Sequence, residues 1–161
     1  MSEQIFELKD VYYAYLGKFP ALSGVNLGVQ AGEKISIMGA NGTGKSTILA
    51  ILDGLIFPDK GTINAFGKEL NEDILSNEEF SQFFRSKVGF VFQNPDVQLF
   101  CPTVKEDIVF GPLQLGVSQG ETMERLGKYA QLLEIEDLFD RAPHQLSIGE
   151  KKKLRWQPYW Q

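Results

Sequence analysis

Eight consecutive residues constrain this chain more than any other feature. Gly39-Ala40-Asn41-Gly42-Thr43-Gly44-Lys45-Ser46 matches the phosphate-binding loop pattern G-x-x-x-x-G-K-[ST] at every fixed position. The residue types follow from the chemistry. Glycines let a backbone wrap closely around phosphates, so that successive N–H groups point inward as an anion nest. The helix that follows presents its positive N-terminus to the same phosphates. Lys45 is placed to reach β- and γ-phosphates, and Ser46 to offer its hydroxyl to Mg²⁺. The flanks fit. Lys34-Ile35-Ser36-Ile37-Met38 is a short apolar run suited to a buried strand. From Lys45 to Leu55 the period is helical, with Ile48, Leu49, Ile51, Leu52 and Leu55 on one side, Gly54 loosening the last turn and Pro58 stopping it. Average residue usage would produce the motif by chance well under about one time in a hundred. An ordinary glycine-rich turn is the bland alternative, and the strand-in, helix-out context favours nucleoside triphosphate binding.

The rest of the chain reads as one α/β domain. Ile5 to Tyr15 is rich in β-branched and aromatic residues, and Leu22 to Gln30 alternates through Val25, Leu27 and Val29; both read as strands. Gly61-Thr62-Ile63 is a short strand, Asn77 to Ser86 a helix and Val88 to Phe92 a buried strand. The pairs Thr103 with Glu106, Ser118 with Glu121 and Ser147 with Glu150 each have capping-box spacing. The first two start helices near Val104 and Gln119. Strands that alternate with helices predict a mostly parallel core with an antiparallel opening section.

Composition excludes several classes. No stretch approaches the roughly 18 uncharged apolar residues that span a membrane. One cysteine, Cys101, rules out an internal disulfide framework and a multi-cysteine zinc site, and fits a reducing, cytoplasmic setting. A net charge of −5 argues against nucleic acid as a partner. The one dense basic cluster, Lys151, Lys152, Lys153 and Arg155, reads as a solvated helix face.

Later motifs narrow the class. Phe92-Gln93-Asn94-Pro95 resembles the Q-loop of ABC transporter ATPases, and Leu146-Ser147-Ile148-Gly149-Glu150-Lys151-Lys152 resembles their signature motif in the form L-S-x-G-E-K-K. The run Gln93 to Phe100, with Pro102-Thr103-Val104 and Asp107 to Pro112, is similar to the ATPases of energy-coupling factor (ECF) and cobalt/nickel-type importers. The resemblance covers Ile5 to about Lys153. It implies an ABC-type P-loop NTPase fold with an antiparallel opening section and a helical subdomain, and ATP with Mg²⁺ as ligands. Gly39, Asn41, Gly42, Gly44, Lys45, Ser46 and Thr47 would hold the phosphates, with Ser46 and Gln93 at the metal. Gln93 would also contact the attacking water and link the site to the membrane subunit. Tyr15 sits where the family stacks an aromatic on adenine, with Tyr12 and Tyr13 competing for that role. Ser147, Gly149 and Glu150 would face ATP held by a second ATPase subunit. Ile148 departs from the family's usual glycine. The implied setting is the cytoplasmic face of the cell membrane, beside a membrane coupling protein and a substrate-binding membrane component, in uptake of vitamins or transition-metal ions.

The tail departs from the family. A Walker B strand ending in Asp-Glu, with its catalytic glutamate, and a switch histidine belong after the signature; residues 154–161 hold no carboxylate, and the sole histidine, His144, precedes the signature. Trp156-Gln157-Pro158-Tyr159-Trp160-Gln161 must be encoded TGG CAR CCN TAY TGG CAR. Read from the third base, this spells Ala, Thr or Ala, an aliphatic residue, Leu, Ala, the kind of continuation the signature helix has in the family. The expectation is therefore a partial ATP-binding domain over 1–153, a frame-shifted tail over 154–161, a core sheet lacking its C-terminal part, and little or no ATP hydrolysis. The alternative from another class is a non-catalytic nucleotide-binding module that pairs with a complete ABC ATPase.

Overall fold

The structure, a computed structural model, describes residues 3–154. The chain falls into two compact units, Met1–Ser81 and Gln82–Gln161.

The first unit is built on an antiparallel sheet. Strands β1 (Gln4–Tyr15) and β2 (Phe19–Gln30) form a long hairpin, closed where Gly17 N–H donates to Ala14 O and Lys18 N–H to Tyr15 O. On its other side β1 pairs with β3 (Lys60–Ala65), which turns back into β4 (Lys68–Glu69), giving the order β2-β1-β3-β4. Leu8 is the pivot: it faces Leu27 on one neighbour and Ile63 on the other, and is buried with Val11, Leu22, Ile63 and Ala65. Helix α1 (Lys45–Leu52) adds the fully buried Ile51 to this unit's core. It ends three residues before the expected Leu55. Leu55 N–H donates to Ala50 O and Gly54 N–H to Ile51 O, the bond pair that closes a helix end. Short α2 (Glu72–Ser76) is capped by Asn71, and α3 (Glu78–Lys87) carries the chain into the second unit.

The second unit is helical. A single turn at Pro95–Val97 precedes α4 (Val104–Gln114), α5 (Gln119–Leu133), turns at Glu136–Leu138 and Pro143–Gln145, and α6 (Ile148–Leu154). One core joins them: Leu99, Val104, Ile108, Leu126, Ala130, Ile135, Leu138, Leu146 and Leu154. The capping boxes at Thr103 and Ser147 are both reciprocal. At Ser118 only half forms: its hydroxyl accepts from Glu121 N–H, while the Glu121 carboxylate turns to Arg125 at 2.6 Å.

Two expectations are corrected, the parallel core and the solvated basic cluster. Residues 34–38 and 88–92 join no ladder, and the one sheet among the described residues is antiparallel, so the expected parallel core is not formed. Apolar runs favour an extended chain, but a parallel strand becomes one only beside a neighbour distant in sequence. Leu154, the first residue of the expected tail, is helical and fully buried, which leaves that expectation untouched. The remainder of that tail, 155–161, lies outside the described residues. The basic cluster is not simply a solvated face, because Lys151 and Lys153 each hold a specific partner, given below.

Candidate functional site

In the first unit the site is assembled where β2 meets the start of α1. Gly44 is the N-cap of α1 with φ +85°. A Cβ there would fall onto the Ala21 carbonyl oxygen and within 2.8 Å of Leu22 Cδ2, so the end of the loop lies directly against β2. Upstream, Thr43 Oγ1 donates to Ala40 O at 2.9 Å, folding the loop back on itself. Lys45 reaches over the loop: its ammonium donates to Gly39 O at 3.0 Å and to Ala40 O at 2.6 Å. No acceptor among the described residues takes the backbone N–H groups of residues 41–46. Ser46 is exposed beside Lys45. The loop thus gathers one ammonium, a row of N–H donors and a hydroxyl, the donor set that binds phosphates and a cation carried with them. No cluster of three His, Cys, Asp or Glu side chains suited to a metal occurs among the described residues.

Tyr15, at the end of β1, comes to the same place. Its hydroxyl shares a hydrogen bond with Thr47 Oγ1 at 3.1 Å, and Thr47 is buried in the first turn of α1. The strand end is held because Ala14 N–H donates to Asp59 Oδ2 at 2.7 Å. Of the three competing tyrosines, Tyr15 bonds to the phosphate-loop helix, whereas the Tyr12 hydroxyl lies over Gly24. Beside the loop runs an apolar groove of about 540 Å³, lined by Phe6, Leu27, Val29, Ile35 and Leu49 among others, with Lys45 and Ser46 at its wall.

In the second unit, Gln93 is exposed on the loop before the Pro95–Val97 turn. The signature residues open α6. Ser147 N–H donates to Glu150 Oε2 at 2.7 Å, and Glu150 N–H donates to Ser147 Oγ at 3.3 Å. The Ser147 hydroxyl and N–H, with Arg141 at 3.5 Å and Lys153 adding positive charge, hold the Glu150 carboxyl below the usual carboxylate range. Gly149 is open: the nearest atom to a Cβ there is Ser147 Oγ at 3.9 Å. Ile148 is 73% exposed, so the residue that replaces the family's glycine points away from the core.

The sequence reading missed three contacts in this unit. Lys151 Nζ pairs with Asp96 Oδ1 at 2.6 Å, tying the signature helix to the loop after Gln93. Lys153 Nζ donates to Leu133 O at 2.9 Å, a cation on the carbonyl end of α5. The buried Asp107 carboxylate accepts the N–H groups of Phe100 and Cys101 at 3.0 and 2.9 Å. No local pattern signals the first, since its partners are 55 residues apart.

The phosphate-loop pattern, the helix it opens and the antiparallel sheet beside it are features of the P-loop class. The family model described as ABC transporter matches residues 22–156, and the chain belongs to that family. Among its relatives, the nickel import ATP-binding protein NikO of Rhodobacter capsulatus is 47% identical over 149 residues, 92% of this chain and 58% of that protein. The energy-coupling factor transporter ATP-binding protein EcfA2 of Methanospirillum hungatei is 44% identical over 152 residues, 94% of this chain and 37% of that protein. A solved structure of the ATP-binding cassette MJ0796, dimeric, in a post-hydrolysis state and bound to ADP and Pi, superposes with a TM-score of 0.79 at 30% identity. It covers 96% of this chain and 68% of the cassette. The chain spans slightly more than half the length of the first curated relatives it matches.

Proposed function

We propose that this chain is the nucleotide-binding part of an ATP-binding subunit of an ECF-type importer, with MgATP as its ligand. The observation that carries the reading is the phosphate loop, in which the Lys45 ammonium leans on the Gly39 and Ala40 carbonyls beside a row of unmatched N–H donors. A triphosphate answers both features. Lys45 exchanges two carbonyls for β- and γ-phosphate oxygens, and the N–H groups from Asn41 through Ser46 donate to the phosphate chain. Gly39, Gly42 and Gly44 let the backbone approach. Ser46 serves the metal, and Tyr15 receives the adenine. Mg²⁺, when bound, offsets phosphate charge.

Ser147, Gly149 and Glu150 face the nucleotide of a second ATPase subunit, equal or paralogous; the dimeric state of the MJ0796 cassette supports this. Gly149, with nothing nearer to a Cβ than Ser147 Oγ, leaves room for such a ligand at the start of α6. The subunit lies at the cytoplasmic face of the membrane, on a coupling protein and a substrate-binding component that import a vitamin or a transition-metal ion. The names of the EcfA2 and NikO relatives support this assignment. Phe100 and Phe110, which meet edge to face at 5.1 Å and are both exposed beside the loop after Gln93, support the membrane contact.

Calorimetric titration with MgATP tests the reading. Saturable binding is expected, weakened by Lys45→Ala at least about tenfold, the scale of a charged hydrogen-bonding pair. Equal affinity in wild type and variant overturns it. The reciprocal Ser147–Glu150 turn with Gly149 open also fits a module that serves a partner's nucleotide; stimulation of a complete paralogue's ATPase by this chain would mark that reading.

A further inference from the structure

Tyr15 and Thr47 are 32 residues apart in sequence, yet the one side-chain hydrogen bond each makes among the described residues is to the other. Thr47 is 4% exposed and follows Ser46 directly in the first turn of α1. Tyr15 is 45% exposed, so its ring is open to a ligand while its hydroxyl is tethered. The Tyr13 ring stands nearly perpendicular to it, centroids 5.0 Å apart at 88°. The ring is thus held at its tip by the helical turn that carries Lys45 and Ser46, and at its side by its own strand.

We infer that Thr47 is a positioning residue for the base of a purine nucleotide: through the Tyr15 hydroxyl it sets the plane of the stacking ring relative to the phosphate loop. This rests on the reading of the loop as an ATP site. The reason is preorganisation. A half-exposed tyrosine on a strand end can rotate about two bonds, and a base that stacks on it must stop that rotation at the base's own cost. The bond to a buried threonine removes that freedom before the ligand arrives. It also explains a hydroxyl on a ring that needs none for stacking, since phenylalanine offers the same face. Base and phosphates are then registered from one turn of α1.

The test uses the 161-residue chain and two ligands, MgATP and magnesium tripolyphosphate, which has the phosphates and no base. Affinities are measured by calorimetry for wild type, Tyr15→Phe, Thr47→Val, Thr47→Ser and the Phe/Val double variant. Tyr15→Phe should weaken MgATP about three- to tenfold, the range of one hydrogen bond, while tripolyphosphate changes less than about twofold, and Thr47→Val should weaken MgATP by a clearly larger factor than tripolyphosphate. The double variant should be no weaker than the worse single variant, and Thr47→Ser should restore wild-type affinity. Equal weakening of both ligands overturns the inference, because a structural role or a direct phosphate contact of Thr47 would produce it. Additive losses in the double variant overturn it too. Tyr15→Phe, at a half-exposed position, keeps the result readable if Thr47→Val unfolds. Failure of wild type to bind tripolyphosphate would sink the reading of the loop and this inference with it. Tripolyphosphate binding as tight as MgATP would spare the loop and remove the base platform.

Discussion

Gly42 and Gly44 provide a controlled comparison inside the phosphate loop. Their backbones are nearly the same, φ +83° and +85°. Their surroundings are not: a Cβ on Gly42 meets nothing within 4 Å, whereas one on Gly44 strikes the Ala21 carbonyl and Leu22 Cδ2. Replacing either by alanine places an L-residue in the left-handed region, at about 1–2 kcal/mol. At Gly44 the clash adds about 1–3 kcal/mol, the range for overpacking, because the first obstacle is backbone and cannot rotate aside. Gly42→Ala should therefore cost about 1–2 kcal/mol and Gly44→Ala about 2–5 kcal/mol. Urea unfolding followed by far-ultraviolet circular dichroism reads both values, and the quantity of interest is their difference. Gly44→Ala should also weaken MgATP more than Gly42→Ala, since either β2 or the loop must shift. If the two variants agree to within about 0.5 kcal/mol, the usual scatter between independent sites, the loop end does not lie against β2 and the reasoning fails.

Other outcomes follow from the second unit. Lys151→Ala should cost about 0.5–1 kcal/mol, small because Asp96 is largely exposed, and the exchange Asp96→Lys with Lys151→Asp should recover most of it; a salt-independent loss in urea titrations would contradict the pairing. Ser147→Ala removes the hydroxyl that caps α6 and should cost about 1 kcal/mol in the same titrations, with Ser147→Thr nearly neutral. Because the Glu150 carboxyl is held low in the folded chain, its contribution is present above the unfolded value and lost as pH falls through the lower folded value. Stability should therefore drop on acidification below the usual carboxylate range, with a smaller drop in Glu150→Gln. Burial, and next the hydrogen bond to Asp107, push the Cys101 thiol up to about 11. Labelling by a disulfide reagent at neutral pH should be slow in the folded chain, fast in urea and faster in Asp107→Asn; equal rates in all three would refute this.

The sequence by itself determined what depends on neighbours along the chain. The phosphate loop is legible because glycine placement and a lysine at a set offset are local requirements. The helix starts at Val104, Gln119 and Ile148 are legible because a capping side chain reaches only three residues ahead. Strands β1 and β2 are legible from β-branched and aromatic content and from alternation, although β2 begins at Phe19, three residues before the expected Leu22. Tertiary structure decided what depends on residues far apart. The sequence left three tyrosines open, and the bond to Thr47 across 32 residues distinguishes Tyr15. Lys151 and Lys153 look like solvent charges until the fold brings Asp96 and the Leu133 carbonyl to them. Residues 34–38 and 88–92 have strand composition yet form no ladder, because composition supplies an extended backbone while the bonds of a parallel sheet come only from another strand. Local patterns specify how a segment bends and where it can bind an anion. Which segments it meets is set by long-range packing that no window of sequence contains.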